Sequence, residues 1–116
     1  MCSSDLGQRI VGISTPSADG QVQALLQVVL AHLDEGAELG AAFDRPRWRV
    51  VGDRLRVEED MESELAGGLS ALGHAVESAE VGDSLFGSVC AAETDLATGL
   101  VSCWADPRRE SWAGAW

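Results

Sequence analysis

The side chains that could act as nucleophile, base or metal ligand are few and widely spaced. Two histidines (His32 and His74) and three cysteines (Cys2, Cys90 and Cys103) occur in the 116 residues. An odd number of cysteines without metal-ligand spacing argues against both a disulfide framework and a zinc site. No Ser-His-Asp or Cys-His arrangement is indicated, and we expect both histidines to be structural. The sequence therefore predicts no metal site and no side-chain catalytic set within this chain.

The charge balance excludes several classes of partner. The chain carries 19 acidic and 8 basic side chains, all of the latter arginine, for a formal net charge of −11. Such a field repels phosphate backbones, so we do not expect nucleic-acid binding. No stretch reaches the roughly 18 apolar residues that a membrane span needs, and residues 1–7 lack the features of a secretion signal. We expect one small soluble domain that binds neither nucleic acid nor membrane; its compartment stays open.

The first seven residues differ from those that follow. Residues 2–6, CSSDL, are encoded by TGC-TCT-TCC-GAT-CT(N), a string that resembles a common sequencing-library adapter. We therefore expect residues 1–7 to be a non-native leader and residues 8–116 to be the native domain. The alternative is a natural polar N-terminus.

Hydrophobic periodicity predicts a strand and a helix in the first third of the chain. Ile10, Val11 and Ile13 form a short apolar run typical of a buried strand over residues 7–14. Residues 15–20 are dense in turn formers, and Asp19 is placed to cap a helix over residues 21–33 that Gly36 ends. A short helical turn over residues 37–43 follows. The apolar positions of the long helix predict a wide stripe against a sheet: Val22, Leu25, Leu26, Val29 and Leu33.

The clearest hairpin signal lies at residues 48–57. Gly52 and Asp53 form a two-residue turn, which places Val50 opposite Leu55 on an apolar face. The other face carries half of the basic residues: Arg47, Arg49, Arg54 and Arg56. Because like charges repel across strands, we expect these arginines either to lie in solvent or to dock on an acidic surface outside this chain.

A second helix and a strand are predicted next. Asp60 is placed to cap the helix, Leu65, Leu69 and Leu72 form its predicted buried stripe, and Gly73 is placed to end it. A short strand at residues 74–77 follows.

Apolar runs at residues 86–92 and 100–105 predict a buried hairpin around a turn at residues 94–99. A turn centred between residues 96 and 97 places Cys90 opposite Cys103, as two buried free thiols in preference to a disulfide. The mixture of strands and helices indicates an α+β or layered sheet-and-helix fold.

Four segments, in this order, resemble the C-terminal end of the gamma-glutamyltransferase (gamma-glutamyltranspeptidase) family. TPSADGQVQ at residues 15–23 resembles the family's Thr-x-Gly-Gly-Asp-Gly-Gln-x-Gln. FDRPRW at residues 43–48 is similar to its Asp-Ala-Pro-Arg-Trp stretch, which precedes a hairpin and a Glu, here Glu58. Gly73-His74 matches its Gly-His after a helix, and ADPRRE at residues 105–110 resembles its Asp-Pro-Arg signature. Each motif alone is weak, but four in order at compatible spacings are specific, over residues 8–116.

The resemblance implies part of an N-terminal-nucleophile hydrolase sandwich (αββα), α+β in class, with helices packed on antiparallel sheet. It implies an enzyme of glutathione metabolism, without a cofactor, that matures by self-cleavage into two subunits. The small subunit of such an enzyme begins with a Thr that attacks the gamma-carbonyl of a glutathione-type compound, and the Thr's own α-amine can act as base. The gamma-glutamyl group then passes to water or to an amino-acid acceptor.

One catalytic part of the family maps onto this chain. Backbone N–H groups of the family's Gly-Gly stabilise the oxyanion, and that pair falls at Ser17 and Ala18. The resemblance therefore assigns the oxyanion hole to these two amides, although glycine tolerates positive φ and close substrate approach better than serine or alanine. The alternative is an ordinary loop before a helix. Thr15, Thr94 and Thr98 are internal and lack a free α-amine, so we expect the nucleophile upstream of this chain.

The sequence thus predicts a C-terminal fragment of a gamma-glutamyltransferase-like enzyme, inactive by itself. Its expected partners are a gamma-glutamyl small-molecule substrate and the remainder of the parent enzyme, namely the large subunit and the N-terminal part of the small subunit. We expect Asp106 and Arg108 to tie the C-terminal segment to the body. The alternatives are a non-catalytic α+β interaction domain and a related acylase that acts on another amide, such as a cephalosporin side chain.

Overall fold

The structure, a computed structural model, describes the backbone of residues 2–5 together with residues 8–16, 18–61 and 63–115. Its strands are β1 (Cys2–Asp5), β2 (Arg9–Ser14), β3 (Trp48–Val51), β4 (Arg54–Glu58), β5 (Ala75–Ala79), β6 (Cys90–Asp95) and β7 (Val101–Ala105). Its helices are α1 (Gln21–Leu33), α2 (Leu39–Asp44) and α3 (Ser63–Ala71), with two 3-10 turns at Ala18–Gly20 and Ser84–Phe86. The predicted α+β class is confirmed.

A four-stranded antiparallel sheet, in the order β1-β2-β6-β7, carries the main core. Side chains alternate between its two faces, so Val11 and Ile13 of β2 are buried while Ile10 is 46% exposed. The buried face packs against α1 and α2, whose contributions to the core are Ala24, Val28, Ala31, Leu39, Ala42 and Phe43. This core fixes the end of β2 and the start of α1 relative to each other.

Helix α1 has the predicted bounds but a different orientation. Its buried residues are the small ones, Ala24, Val28 and Ala31, whereas Val22 is 75% and Leu26 46% exposed. The predicted stripe is therefore wrong for its outer members, because the apolar residues of this helix extend around too much of its circumference to indicate one face. Hydrogen bonds from two glutamines, described below, select the orientation.

The second sheet has the order β3-β4-β5 and is mixed. Strands β3 and β4 form the predicted hairpin with Val50 opposite Leu55. Strands β4 and β5 are parallel neighbours, and the chain crosses from one to the other by way of α3. On the polar face, Arg54 and Arg56 both contact Glu77 of β5, at 2.5 and 3.2 Å. These two arginines therefore meet a carboxylate that the chain itself supplies, and not an acidic surface outside it, while their side chains stay about half exposed to solvent.

Helix α3 differs most from its prediction. It begins at Ser63 rather than directly after Asp60. At its end Gly73 adopts a φ of 94° and donates its N–H to Ser70 O at 3.0 Å, as a helix-terminating glycine does.

The predicted buried stripe of α3 is wrong, because none of the helix's residues is buried. Leu65 is 52% and Leu72 79% exposed. Leu65 and Leu69 instead line an open apolar groove with side chains of the first hairpin: Trp48, Val50 and Leu55.

The second hairpin forms with a register two residues from the predicted one. Cys90 lies opposite Ala105, not opposite Cys103. The turn is centred one residue later than predicted, over residues 96–100. The Asp95 carboxylate holds it there by accepting hydrogen bonds from the N–H groups of Ala97 and Thr98 at 2.8 and 3.2 Å. Cys90 and Cys103 are free, as predicted, but only half-buried. None of the helices in the described ranges has the length and apolar character that a membrane crossing needs.

Candidate functional site

The segment between β2 and α1 is a tight turn into the N-terminus of a 13-residue helix. Thr15 is buried at its start, and Ala18 begins the 3-10 turn with a φ of 43°. Ala18 is the one non-glycine with positive φ among the described residues. The N-cap of α1 is Gly20, without a side-chain cap, so the prediction that Asp19 caps this helix is wrong.

The two residues assigned to the oxyanion hole have different outcomes. Ser17 lies outside the described residues. Ala18 is described and exposed, and its left-handed backbone is one that glycine adopts without strain. The loop thus keeps, at an alanine, the type of conformation that a glycine would supply. A backbone N–H beside a helix N-terminus can donate to a developing negative charge.

Two contacts fix the ends of this loop. At its start, Thr15 Oγ1 accepts a hydrogen bond from the N–H of Ser88 at 3.4 Å. At its end, the guanidinium of Arg49 lies on Gly20, so close that a Cβ at Gly20 would lie 2.8 Å from Arg49 Cζ. The same guanidinium donates from Nη1 to Leu85 O at 2.7 Å. The φ of Gly20, −86°, is open to any residue, and a side chain there would displace the guanidinium.

Helix α1 is joined to the free edge of β3 by two glutamine side chains. Gln27 Nε2 donates to Trp48 O at 2.9 Å, and Trp48 N–H donates to Gln27 Oε1 at 3.0 Å. Gln23 makes the same pair of bonds with Val50, at 3.3 and 2.8 Å. Four residues of helix rise about 6 Å and two residues of strand about 6.6 Å, so the two spacings match. We call this arrangement the glutamine clasp; no local pattern in the sequence predicts it.

A buried quartet of charges joins the two sheets. Asp106 Oδ2 accepts from Arg47 Nη1 at 2.5 Å and from Val89 N–H at 3.0 Å. Glu58 accepts from Arg108 Nε at 2.8 Å and from Arg108 Nη2 at 2.5 Å. Arg108 also contacts Asp106 at 3.2 Å. All four side chains are nearly or fully buried, and two positive charges balance two negative ones.

The quartet has a structural role and not a catalytic one, because each of its charged groups is buried and hydrogen-bonded to other groups of the chain. Burial opposes ionisation of Glu58, but hydrogen bonds from Arg108, Gly82 and Arg47 outweigh it and hold the pKa of Glu58 below its usual value. Asp106 and Arg108 do tie the C-terminal segment to the body, as predicted. The sequence had placed Arg47 on the polar hairpin face; it is buried instead, since it precedes β3 and points toward Asp106.

The remaining candidate residues are not brought together. His32 Nδ1 donates one hydrogen bond to Ala37 O at 2.8 Å, which fits its predicted structural role. Thr94 lies within β6 and Thr98 in the turn after it. Among the described residues, no group of three or more histidine, cysteine or acidic side chains is arranged to hold a metal ion.

Comparison with known proteins agrees with this geometry. A family model described as gamma-glutamyltranspeptidase matches residues 5–116. No curated protein sequence matches the chain.

Solved structures extend the comparison to the fold. The chain is similar to the transpeptidase CapD of Bacillus anthracis, with a TM-score of 0.82 and 21% identity over 98% of this chain and 69% of that one. It is similar to a cephalosporin acylase of Bacillus halodurans, with a TM-score of 0.80 and 27% identity over 90% of this chain and 19% of that one. A T380A mutant of gamma-glutamyltranspeptidase from Helicobacter pylori matches at a TM-score of 0.70 and 22% identity, over 87% and 54% of the two chains. These likenesses confirm the predicted fold, part of an N-terminal-nucleophile hydrolase sandwich. The chain spans only part of each relative.

Proposed function

This chain belongs to the gamma-glutamyltranspeptidase family, and from that premise we propose that it is the C-terminal part of an enzyme acting on glutathione-type substrates. The parent enzyme transfers or hydrolyses gamma-glutamyl groups through an N-terminal Thr that lies upstream of this chain. The present chain contributes the loop before α1 and the framework that holds it. The partners of the chain are then the large subunit, the N-terminal part of the small subunit and the gamma-glutamyl substrate.

The observation that carries this proposal is the backbone of Ala18. The residue is exposed and left-handed at the entrance to α1, where the helix dipole adds positive potential. Attack of the Thr hydroxyl on the gamma-carbonyl places a negative charge on the carbonyl oxygen. The N–H groups of Ser17 and Ala18 would donate to that oxygen, and loss of one such donor costs on the order of 10²–10³ in kcat.

Chemistry within this chain is limited to that stabilisation. In the first step the donor's amide bond breaks, and the leaving amine takes the proton that the Thr α-amine removed from the hydroxyl, which leaves the gamma-glutamyl group as an ester on the Thr. In the second step water or the amine of an acceptor attacks that ester and frees the Thr. The chain by itself is therefore inactive.

The experiment that tests the proposal is an assay of the parent polypeptide, obtained by extending the reading frame upstream of residue 8. Release of the anilide from a gamma-glutamyl anilide is the expected result. A parent that is folded and self-cleaved but releases nothing would refute the gamma-glutamyl assignment.

A second candidate is an acylase that acts on another amide. The likeness to the Bacillus halodurans cephalosporin acylase, at 27% identity, favours it. Assaying the same parent with a glutaryl amide separates the two, because the oxyanion loop is common to both and only the acyl group differs. A third candidate, a non-catalytic interaction domain, predicts an upstream region without a Thr-led segment.

A further inference from the structure

The three consecutive residues at the start of β3 all contact α1 or the loop that precedes it. Trp48 and Val50 do so through their backbones and the glutamine clasp. Their N–H and C=O groups point to the free edge of the sheet, because these groups alternate in direction along an antiparallel strand and Arg47 O, one residue before Trp48, accepts from Glu58 N–H on the β4 side. Arg49, the residue between Trp48 and Val50, contacts Gly20 in the loop before α1 through its side chain. Strand β3 is thus the element that sets the position of the α1 N-terminus.

The Arg49 side chain bridges three segments at the candidate loop. Its backbone belongs to β3, its guanidinium lies on Gly20, and its Nη1 donates to Leu85 O in the second 3-10 turn. Its Nε is buried, with no hydrogen-bond partner among the described residues, so packing and the single bond to Leu85 hold the group in place. Residue 20 is the end of the turn that Ala18 begins. A shift of Gly20 therefore moves the Ala18 amide.

We propose that Arg49 is a positioning residue for the oxyanion loop. This inference rests on the proposed function, since it concerns the same loop. Arg49 acts by fixing Gly20 and so the direction of the Ala18 N–H, without itself contacting the substrate. Such a role affects the transition state more than substrate binding, because the oxyanion exists only after attack.

The test replaces Arg49 in the parent enzyme and uses Arg56 as the matched control. Arg56 lies opposite Arg49 on the same face of the hairpin but pairs with Glu77, away from the loop. We expect Arg49→Met to lower kcat by about 10–100-fold with KM within about twofold, because an ångström-scale misplacement can cost about 10²-fold. Arg49→Lys recovers part of the loss, since it keeps one donor for Leu85 O. Arg56→Met leaves both constants unchanged.

A second readout makes the inference independent of catalysis. Hydrogen exchange of the amides at residues 18–20 should be faster in Arg49→Met than in Arg56→Met, at equal melting temperature. Gly20→Ala, whose Cβ displaces the guanidinium, should produce the same local change. A parent without gamma-glutamyl activity would refute the proposed function, and the exchange comparison would still decide the role of Arg49. Unchanged exchange, or a kcat of Arg49→Met within twofold of that of Arg56→Met, would overturn the inference.

Discussion

Ala18 combines a left-handed backbone with a methyl side chain. For an L-residue with a Cβ, that conformation costs roughly 1–2 kcal/mol, and residues held in this way cluster at functional sites. The surrounding contacts at Thr15 and Gly20 keep the turn in place. The family pattern has glycine here. Because this chain keeps the left-handed backbone but carries a methyl group in place of hydrogen, the residue is strained.

Replacing Ala18 with glycine should stabilise the chain. Relief of the φ of 43° outweighs the greater entropy of glycine in the unfolded state, for a net gain of about 0.5–1 kcal/mol in the free energy of unfolding. Ala41, exposed within α2, is the matched control, and Ala41→Gly should cost about 0.5–1 kcal/mol. Urea unfolding of both variants measures the two values. Equal destabilisation by both changes would show that Ala18 is unstrained.

Glu58 should make the stability of the protein dependent on acid pH. Its pKa is depressed in the folded state by its hydrogen-bond donors despite burial. The stability that it contributes is therefore present above its unfolded pKa of about 4.3 and is lost as pH falls through the lower, folded pKa. Melting temperatures between pH 7 and pH 3 follow this loss.

Glu58→Gln tests the source of that dependence. The change leaves the buried quartet with two positive charges and one negative charge, since Asp106 alone then faces both arginines. It should lower stability by about 3–5 kcal/mol at neutral pH, with a shallower fall in acid. Glu59→Gln, at the exposed neighbouring position, should keep both the stability and the pH profile. Equal profiles for the two variants would assign the acid dependence to other carboxylates.

At the scale of elements, β3 is the point where the two halves of the fold meet. The glutamine clasp satisfies the backbone groups of Trp48 and Val50, which would otherwise form an open sheet edge. It also sets which face of α1 packs on the core. Because the apolar residues of α1 surround most of its circumference, they do not select one orientation, and the clasp does.

Gln27→Met should therefore destabilise the protein, although Gln27 is only half-buried. The change leaves the N–H and C=O of Trp48 without their partners, which costs about 1–3 kcal/mol per buried group. Gln21→Met is the control, because Gln21 is exposed at the start of the same helix and such substitutions stay within about 0.5 kcal/mol. Thermal unfolding of the two variants is compared; equal melting temperatures would mean that the clasp contributes nothing.

Local signals determined which elements could be predicted. The first hairpin was predicted to the residue because the two-residue turn at Gly52 and Asp53 fixes the register. The register of the second hairpin differs from the predicted one by two residues, because its turn depends on hydrogen bonds to Asp95. Residue spacing alone does not reveal those bonds. The buried faces of α1 and α3 were missed because they depend on long-range contacts. Of the candidate site, the sequence indicated the loop through its motif, but not Arg49 or the clasp.

At the scale of the whole molecule, much apolar surface stays exposed. Val22, Leu26, Leu30 and Leu33 of α1 are all more than 40% exposed. Leu65 of α3 and Leu72, directly after that helix, are both more than 50% exposed. Exposed apolar patches of this kind mark surfaces that pack against other protein. This agrees with a chain that spans 69% of the CapD chain and 54% of the Helicobacter pylori chain.

Expressed alone, the chain should therefore associate or aggregate. Sedimentation velocity over a range of concentrations measures the tendency, and replacing Leu26 and Leu30 with glutamine should reduce it, since both are exposed and neither belongs to the core. A monodisperse monomer with a cooperative thermal transition would contradict the expectation that these surfaces are covered in the parent.

The most direct measurement of the role of this chain is turnover of a gamma-glutamyl anilide by the self-cleaved parent, compared between the wild type and a variant in which Ala18 is replaced by its α-hydroxy analogue. The resulting ester bond removes the N–H assigned to the oxyanion but keeps the methyl side chain and the φ of 43°, which proline could not adopt. We expect the wild type to release the anilide and the variant to lose on the order of 10²–10³ in kcat, with substrate binding retained. Equal turnover by both proteins, with the variant folded, would show that this loop takes no part in the reaction.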